Sequence, residues 1–510
     1  MNADKFHKIL HRHATIPNIS AICFLLLILI SSGRYGFYGD ELYYFACSKH
    51  LDFGYVDHPP LVAVLTFIAA KLFGESVFSL RLMSGLAGAL TVVFSAKIAE
   101  VLGGGQLSKS LAALSICFAT AFPAISSFFS MNPVDIMFVT LFIHLFLKTL
   151  ARPSPLRWCA LGALLGAGLL NKYTFLVLAF SILASLIITR RWDVLRSPWL
   201  YTTGAIGSVM FIPHVVWQMT HGWPTLEFMY NAAEFKNLSL TPLAFLSQLT
   251  ISLNPFTLPL WLSGLIYLIV RKEAEEFRFL GWTAVIFMSV YLIQNSKIYY
   301  VFPIFPLLLS AGAVAVERFS VNYHVSWPKW VIGSSIIISG TILMPLAVPM
   351  LPVPQFVSYS KSLGFWNLIR MEKGEEDALP IHFVYRIGWE ELVDSVARTY
   401  GTLSEDEKKQ CAILASWYGP AGAIDHFGPP LGLPDAICPR NNYWLWGPRH
   451  YSGTIVLAVG YDAEYLRQFF GSVLFVADIK NPYGYDYALC ICRQPKIPFD
   501  QMWLRLKRFI

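Results

Sequence analysis

Charge is scarce in this chain: only 14% of its 510 residues are Asp, Glu, Lys or Arg, against 55% hydrophobic residues and a mean hydropathy of +0.52. That balance excludes an ordinary water-soluble enzyme and makes lipid the main solvent. The formal charge of +7 is small for the length, and the basic residues stand between apolar runs, which excludes a nucleic-acid-binding stripe. Cysteine is scarce as well. Eight are too few for a disulfide scaffold; Cys23, Cys117 and Cys159 lie in apolar runs as filler, while Cys411, Cys438, Cys490 and Cys492 share the polar C-terminal region and are the set able to bridge if it is extracytoplasmic. No small-x-small cleavage site follows the first apolar run, so the basic start MNADKFHKILHRHATIP and residues 19–32 read as an uncleaved anchor. The glycines at 103–105 lack the Lys-Ser/Thr that completes a phosphate loop and read as a cytoplasmic turn.

What is present is a series of apolar runs. A helix crosses about 30 Å of hydrocarbon with roughly 20 residues. Runs centred near residues 26, 90, 118, 142, 163, 182, 207, 257, 287, 308 and 340 predict a polytopic α-helical membrane protein with about 11 transmembrane helices. Basic connections alternate with non-basic ones: the N-terminal tail, Lys97/Lys109, Lys148/Arg152/Arg157, Arg190/Arg191/Arg196, Arg271/Lys272/Arg278 and Arg318/Lys329 fall on one side, which the positive-inside rule makes cytoplasmic. Residues 34–77, 127–133, 171–173, 217–242, 295–298 and all after about 351 then face outward. Residues 61–73, LVAVLTFIAAKLF, are too short to span and read as an interfacial helix in the first outer loop; 243–270, with Pro255 and Pro259, reads as one kinked helix or a broken one. After about residue 351 turn and charged residues return. GWEELVDSVARTY reads as an amphipathic helix and CAILAS, TIVLAVG and SVLFVA as strands, giving a membrane domain over 1–350 and a soluble, extracytoplasmic α/β domain over 351–510.

The polar residues gather on the outward side. The first outer loop, FYGDELYYFACSKHLDFGYVDHPPL, holds Asp40, Glu41, Asp52, Asp57 and His58; SMNPVDIMF adds Asn132 and Asp135, LLNKYTF adds Lys172, NSKIYYVFP adds Lys297, Tyr299 and Tyr300, and Arg81 stands near the outer start of the second span. Each has a plain alternative: a solvated loop for Asp40 and Glu41, a turn cap for Asp57-His58, an ion pair with Arg81 or a lysine for Asp135, and interfacial snorkelling for Lys172. Ionisable groups at membrane depth are costly, and acids and bases brought to one face by separate loops point to a shared function. Nucleotide sugars are not expected outside the cell. A transferase there needs a donor anchored in the bilayer, and a polyprenyl phosphate carrying a sugar calls for cations around its phosphate and a carboxylate base for the acceptor hydroxyl.

In order along the first 310 residues, the acidic pair Asp40-Glu41, DHPPL at 57–61, SLRL at 79–82, NPVD at 132–135, NKYTF at 171–175 and SKIYYVFP at 296–303 resemble glycosyltransferase family 39, the membrane-embedded GT-C enzymes that include protein O-mannosyltransferases and lipid A aminoarabinose transferases. YGPAGAIDHFGPPLGLP at 418–434 and NNYWLWGP at 441–448 resemble a bacterial subgroup of undefined acceptor. The resemblance implies a GT-C fold and an inverting transfer of a hexosyl or pentosyl group from a polyprenyl-phosphate sugar to a glycolipid, polysaccharide or protein hydroxyl. It implies catalytic roles for Asp40, as base, and Glu41, and donor or substrate binding by Asp57, His58, Arg81, Asn132, Asp135, Lys172, Lys297, Tyr299 and Tyr300. Aminoarabinose transferases carry a lysine where this chain has His58, a poorer permanent cation.

No cofactor is called for, although Asp40, Asp57, His58 and Asp135 have the oxygen and imidazole donors that suit a divalent cation. The partners expected are the lipid-linked donor, an envelope acceptor and membrane lipids, with no nucleic acid, and the place is the bacterial inner membrane with the N-terminus cytoplasmic. A polytopic transporter or lipid-linked sugar flippase is the alternative, opposed by the one-sided polar groups and the lack of an internal repeat. A noncatalytic envelope scaffold is the third reading.

Overall fold

The computed structural model describes residues 15–364, 379–481, 483 and 486–510; the basic tail of residues 1–14 and the stretch 365–378 of the C-terminal region lie outside the described residues. In chain order the longer membrane-type helices and their neighbours are α1 (Ile16–Ser31), α2 (Gly39–Lys49), α3 (Leu61–Phe73), α4 (Val77–Val101), α5 (Gln106–Phe118), α6 (Met131–Ala151), α7 (Pro155–Asn171), α8 (Thr174–Ile188) and α9 (Pro198–Thr220). They continue with α10 (Pro242–Ser252), α11 (Leu258–Val270), α12 (Arg278–Ile293), α13 (Phe305–Asn322) and α14 (Trp327–Ala347). Beyond them come α15 (Trp389–Gly401), β1 (Cys411–Ala415), α16 (Tyr418–Phe427), β2 (Ile455–Val459), β3 (Phe470–Ile479) and β4 (Tyr487–Pro495).

These elements form two compact units, each assembled from segments far apart in sequence: residues 1–34, 81–215 and 237–371 make the first, and 35–80, 216–236 and 372–510 make the second. In the first unit Phe24, Ile28, Phe142, Phe146, Phe175, Phe279 and Phe287 share a buried core. Leu176 and Phe180 on α8 and Ile338 on α14 stay exposed, as side chains that face lipid tails do. Gly264 on α11 and Gly312 on α13 are placed where a Cβ would overlap the Leu308 and Leu260 carbonyls, so these two helices touch backbone to backbone.

Among the described residues six helices are long and apolar enough to cross a membrane: α4, α6, α9, α14, and α12 and α13 each with the 3₁₀ turn that leads into it. The pair α10 and α11 qualifies only jointly, bent by 98°. The remaining four expected centres fall on α1, α5, α7 and α8, of 16, 13, 17 and 15 residues.

Of the two readings of 243–270, the structure takes the broken helix. Asn254, at φ 75°, turns the chain, and Pro255 supplies no N–H to carry α10 onward. The fully buried Asn254 side chain saturates the break: Nδ2 donates to the Phe118 carbonyl (3.1 Å) and the Ile336 carbonyl (3.3 Å), and Oδ1 accepts from Phe256 N–H (3.2 Å) and the Ser339 hydroxyl (2.9 Å). Asn254→Ala strands these partners away from water and is expected to destabilise the protein by about 2–4 kcal/mol. Thermal unfolding in detergent checks this, and an unchanged midpoint would refute it.

The second unit carries a four-stranded sheet in the order β1-β2-β4-β3, with β1 and β2 parallel and the other pairs antiparallel. The three expected strands are β1, β2 and β3, and the expected amphipathic helix is α15, which buries Leu392, Val393 and Val396. The expectation missed β4, YALCICRQP, which lies between β2 and β3. All eight cysteines are free: Cys490 and Cys492, two apart on β4, point into one core with Ala412, Leu414 and Val456. The four C-terminal thiols therefore act as small apolar filler and are unbridged.

The first outer loop belongs to this unit. Gly39 N–H donates to the Tyr385 carbonyl (3.0 Å), Trp389 Nε1 to the Phe37 carbonyl (2.9 Å), and Val56 N–H to Asn442 Oδ1 (2.6 Å). Helix α3 buries Val62, Ala63, Thr66 and Ala69 and turns Phe67, Ile68, Leu72 and Phe73 outward beside Lys71, the face an interfacial helix presents to a bilayer.

Candidate functional site

The sequence-singled residues gather in two groups, one in each unit. In the first unit, Ser130 caps α6 by accepting from Asn132 N–H (3.2 Å), which fixes Asn132 at the helix entrance. The chain breaks between α7 and α8 at Lys172, where Asn171 Nδ2 holds the Met131 carbonyl (2.9 Å) and so ties the two helix ends together. Lys172 Nζ donates to Asn132 Oδ1 (2.7 Å) and sits 4.3 Å from the Tyr300 ring centre and 5.1 Å from that of Tyr299. An ammonium over two π faces is held by their quadrupoles without being neutralised.

Asp135 is the main opposite charge acting on Lys172, and Lys297 acts on it as a like charge. Both Asp135 carboxylate oxygens are buried without a hydrogen bond of ordinary geometry, although Thr174 lies close by. Lys297 is half-buried and starts the 3₁₀ turn that carries Tyr299 and Tyr300. Arg81, fully buried, gives Nη1 to the Ser32 carbonyl (2.6 Å) at the C-terminal end of α1, where a cation also meets the negative end of the helix dipole. Behind Lys172, the Tyr173 hydroxyl and His214 Nε2 meet at 2.7 Å.

In the second unit, Asp40 and Glu41 occupy the first turn of α2, where the helix dipole favours carboxylates. Glu41 is fully buried and accepts from Tyr38 N–H (2.7 Å), so one of its oxygens caps the helix. Asp40 is half-buried, and its Oδ1 accepts from the Tyr418 hydroxyl (3.2 Å). The Tyr418 ring stacks on Tyr43 (centres 4.7 Å apart), whose hydroxyl donates to Asp57 Oδ1 (2.9 Å). Burial foremost, and then the neighbouring aspartates, push both phenols far above their ordinary range, so both remain protonated donors.

His58 is fully buried among Tyr43, Tyr44 and Tyr55. Its Nδ1 lies 2.9 Å from the Pro59 carbonyl, which can only accept; Nδ1 therefore bears the proton and Nε2 faces Cys47 Sγ at 4.0 Å. Burial lowers its pKa against the pull of Asp57, and the ring is a neutral imidazole. Among the described residues no three His, Cys, Asp or Glu side chains gather in a metal-ligand cluster.

Sequence reasoning missed the tyrosines. Tyr43 lies inside the first outer loop, where the sequence singles out only the ionisable residues, and Tyr418 and Asn442, whose N–H lies 3.3 Å from the Tyr43 hydroxyl, belong to stretches for which the sequence offered no residue-level role. Trp217, another surprise, gives Nε1 to Asp52 Oδ2 (2.7 Å).

With this geometry in hand, the most informative comparison is with solved structures. ArnT from Cupriavidus metallidurans superposes in its apo state with a TM-score of 0.63 over 92% of this chain and 97% of that one, at 14% sequence identity. The fold is GT-C. The same ArnT bound to undecaprenyl phosphate matches at a TM-score of 0.61, with 14% identity and the same coverage.

Residues 57–217 of this GT-C chain match the family described as dolichyl-phosphate-mannose-protein mannosyltransferase. Two curated relatives come from Rhizobium johnstonii (strain DSM 114642 / LMG 32736 / 3841). Lipid A galacturonosyltransferase RgtD is 23% identical over 42% of this chain and 45% of its own length, and lipopolysaccharide core galacturonosyltransferase RgtA 24% identical over 33% and 34%. The matched stretches thus span less than half of each relative. The family match, the two relatives and the fold agree with the resemblance that the ordered motifs carry.

Proposed function

We propose that this protein is a membrane glycosyltransferase that moves a sugar from a polyprenyl phosphate to a hydroxyl of an envelope glycolipid, polysaccharide or protein. The observation that carries the reading is the Lys172 ammonium, fixed by Asn132 and caged by Tyr299 and Tyr300 at a helix break. Such a cation, with Lys297 beside it, suits a phosphate that stays charged as it leaves. The match to an ArnT that binds undecaprenyl phosphate supports this donor class, and the two galacturonosyltransferase relatives support a lipid A or core-type acceptor.

The step needs little acid catalysis. Asp40 takes the proton of the acceptor hydroxyl, the acceptor oxygen attacks the anomeric carbon from the face opposite the phosphate, and the carbon–oxygen bond to phosphate breaks with its electron pair leaving on polyprenyl phosphate. Configuration inverts. The transferred group is a hexosyl or pentosyl unit, and the protein works in the inner membrane of a bacterium with its N-terminus cytoplasmic and residues 351–510 outside.

The test is reconstitution in liposomes with undecaprenyl-phosphate-linked galacturonic acid, mannose and aminoarabinose in turn, with membranes of cells lacking the gene as acceptor source. Covalent transfer of one of these sugars supports the proposal. Translocation of the lipid-linked sugar without covalent transfer would replace it by the flippase reading.

A further inference from the structure

The motif YGPAGAIDHF finds no use in the transfer chemistry as described, yet it forms α16, which lies directly along α2. Gly422 makes the approach possible: a Cβ there would come within 2.9 Å of the Leu42 backbone carbon and 3.0 Å of its oxygen. At Gly39, the start of α2, an added Cβ would likewise come within 3.1 Å of the Trp417 ring. The close seating brings the first residue of α16, Tyr418, to the Asp40 carboxylate at 3.2 Å, with its ring stacked on Tyr43. Tyr43 in turn binds Asp57, so the two aspartates of the first outer loop are linked through one stacked pair of phenols.

We infer that Tyr418 is a positioning residue for Asp40, through which the C-terminal region selects the rotamer and tunes the basicity of that carboxylate. The inference rests on the reading of Asp40 as the base. A hydroxyl donated to a carboxylate favours its ionised form, so the bond keeps Asp40 available as a base at lower pH than it would be alone. Tyr418 does not itself meet the reacting atoms. A phenylalanine at this position retains the stack on Tyr43 and loses only the donor, which separates this role from a packing role.

The experiment uses the full chain in liposomes, with the panel donor that transfers and gene-deletion membranes as acceptor source, and records kcat against pH. For Tyr418→Phe, kcat at neutral pH falls about three- to tenfold. Losing the donor raises the Asp40 pKa, and because the ionised form is the active one, the acid limb of the profile moves up by about 0.5 pH unit. Replacing Tyr418 by 3-fluorotyrosine, an almost isosteric and stronger donor, moves the limb the opposite way. A role in folding alone would lower the amount of active protein and leave both limbs in place. Native limbs in both Tyr418 variants, while Asp40→Asn is inactive, would overturn this inference and leave the base reading standing; an active Asp40→Asn would remove the base reading itself.

Discussion

Asp40→Asn should lower turnover by about 10²- to 10⁴-fold, the range that general-base catalysis typically contributes, while leaving donor affinity close to native. Asparagine keeps the size of the side chain and an Oδ1 able to accept from Tyr418, so α2 and its hydrogen bonds to the C-terminal region stay in place. What it lacks is the capacity to hold the acceptor proton. The loss therefore falls on kcat, equivalent to about 3–5 kcal/mol of transition-state stabilisation. Steady-state rates with a synthetic polyprenyl-phosphate sugar and direct binding of undecaprenyl phosphate read the two quantities separately. Near-native turnover would remove Asp40 from the reaction.

Lys172→Met should have the opposite division, weakening donor binding and slowing transfer together. The ammonium meets the phosphate both before and after the sugar departs and meets more charge as departure proceeds, so kcat/KM is expected to fall about 10²- to 10³-fold, as for loss of one preorganised partner of developing charge. Undecaprenyl phosphate binding should weaken at least about tenfold. A structural cost accompanies this, because Asp135 is buried and Lys172 is the cation that stabilises its charge. Pairing Lys172→Met with Asp135→Asn removes that cost, and the double variant should recover thermal stability without recovering activity. Recovery of both would reduce Lys172 to a counter-ion of Asp135.

The sequence made the helices legible because an apolar run needs nothing but length to be recognised: ten of the eleven expected centres fall on α-helices, and the one near 257 falls on the 3₁₀ turn at the break between α10 and α11. Strands β1, β2 and β3 were legible as short β-branched or apolar runs between turns. β4 was not: its alternation is blurred by Cys490, Cys492 and a charged end at Arg493, and pairing on both edges decides its state. The Lys172 cluster was half legible. NPVD and NKYTF stood out as polar breaks in apolar surroundings, but the cage made by Tyr299 and Tyr300 depends on how a 3₁₀ turn orients two rings.

Around Asp40 the limit was of another kind. Tyr418 is 378 residues away, and no local pattern can announce a contact at that separation. Glu41 illustrates the converse: read as a catalytic partner from its place in an acidic pair, it has a carboxylate oxygen on the Tyr38 N–H and helps begin α2. An Asp-Glu pair at a helix start carries both meanings, and only the third dimension divides them.

The second unit's patchwork of segments has a consequence for biogenesis. Residues 35–80 leave the ribosome early, yet the groups that satisfy Gly39 N–H, the Phe37 carbonyl and the Asp40 carboxylate arrive with Tyr385, Trp389 and Tyr418. At about 5–20 residues per second the nascent loop waits roughly 20–75 s for them. Throughout that interval the carboxylates lack their final setting, and a chain halted before residue 418 would carry its first outer loop without the Tyr418 hydroxyl on Asp40. Synthesis itself thus acts as a timer on when that loop reaches its folded form.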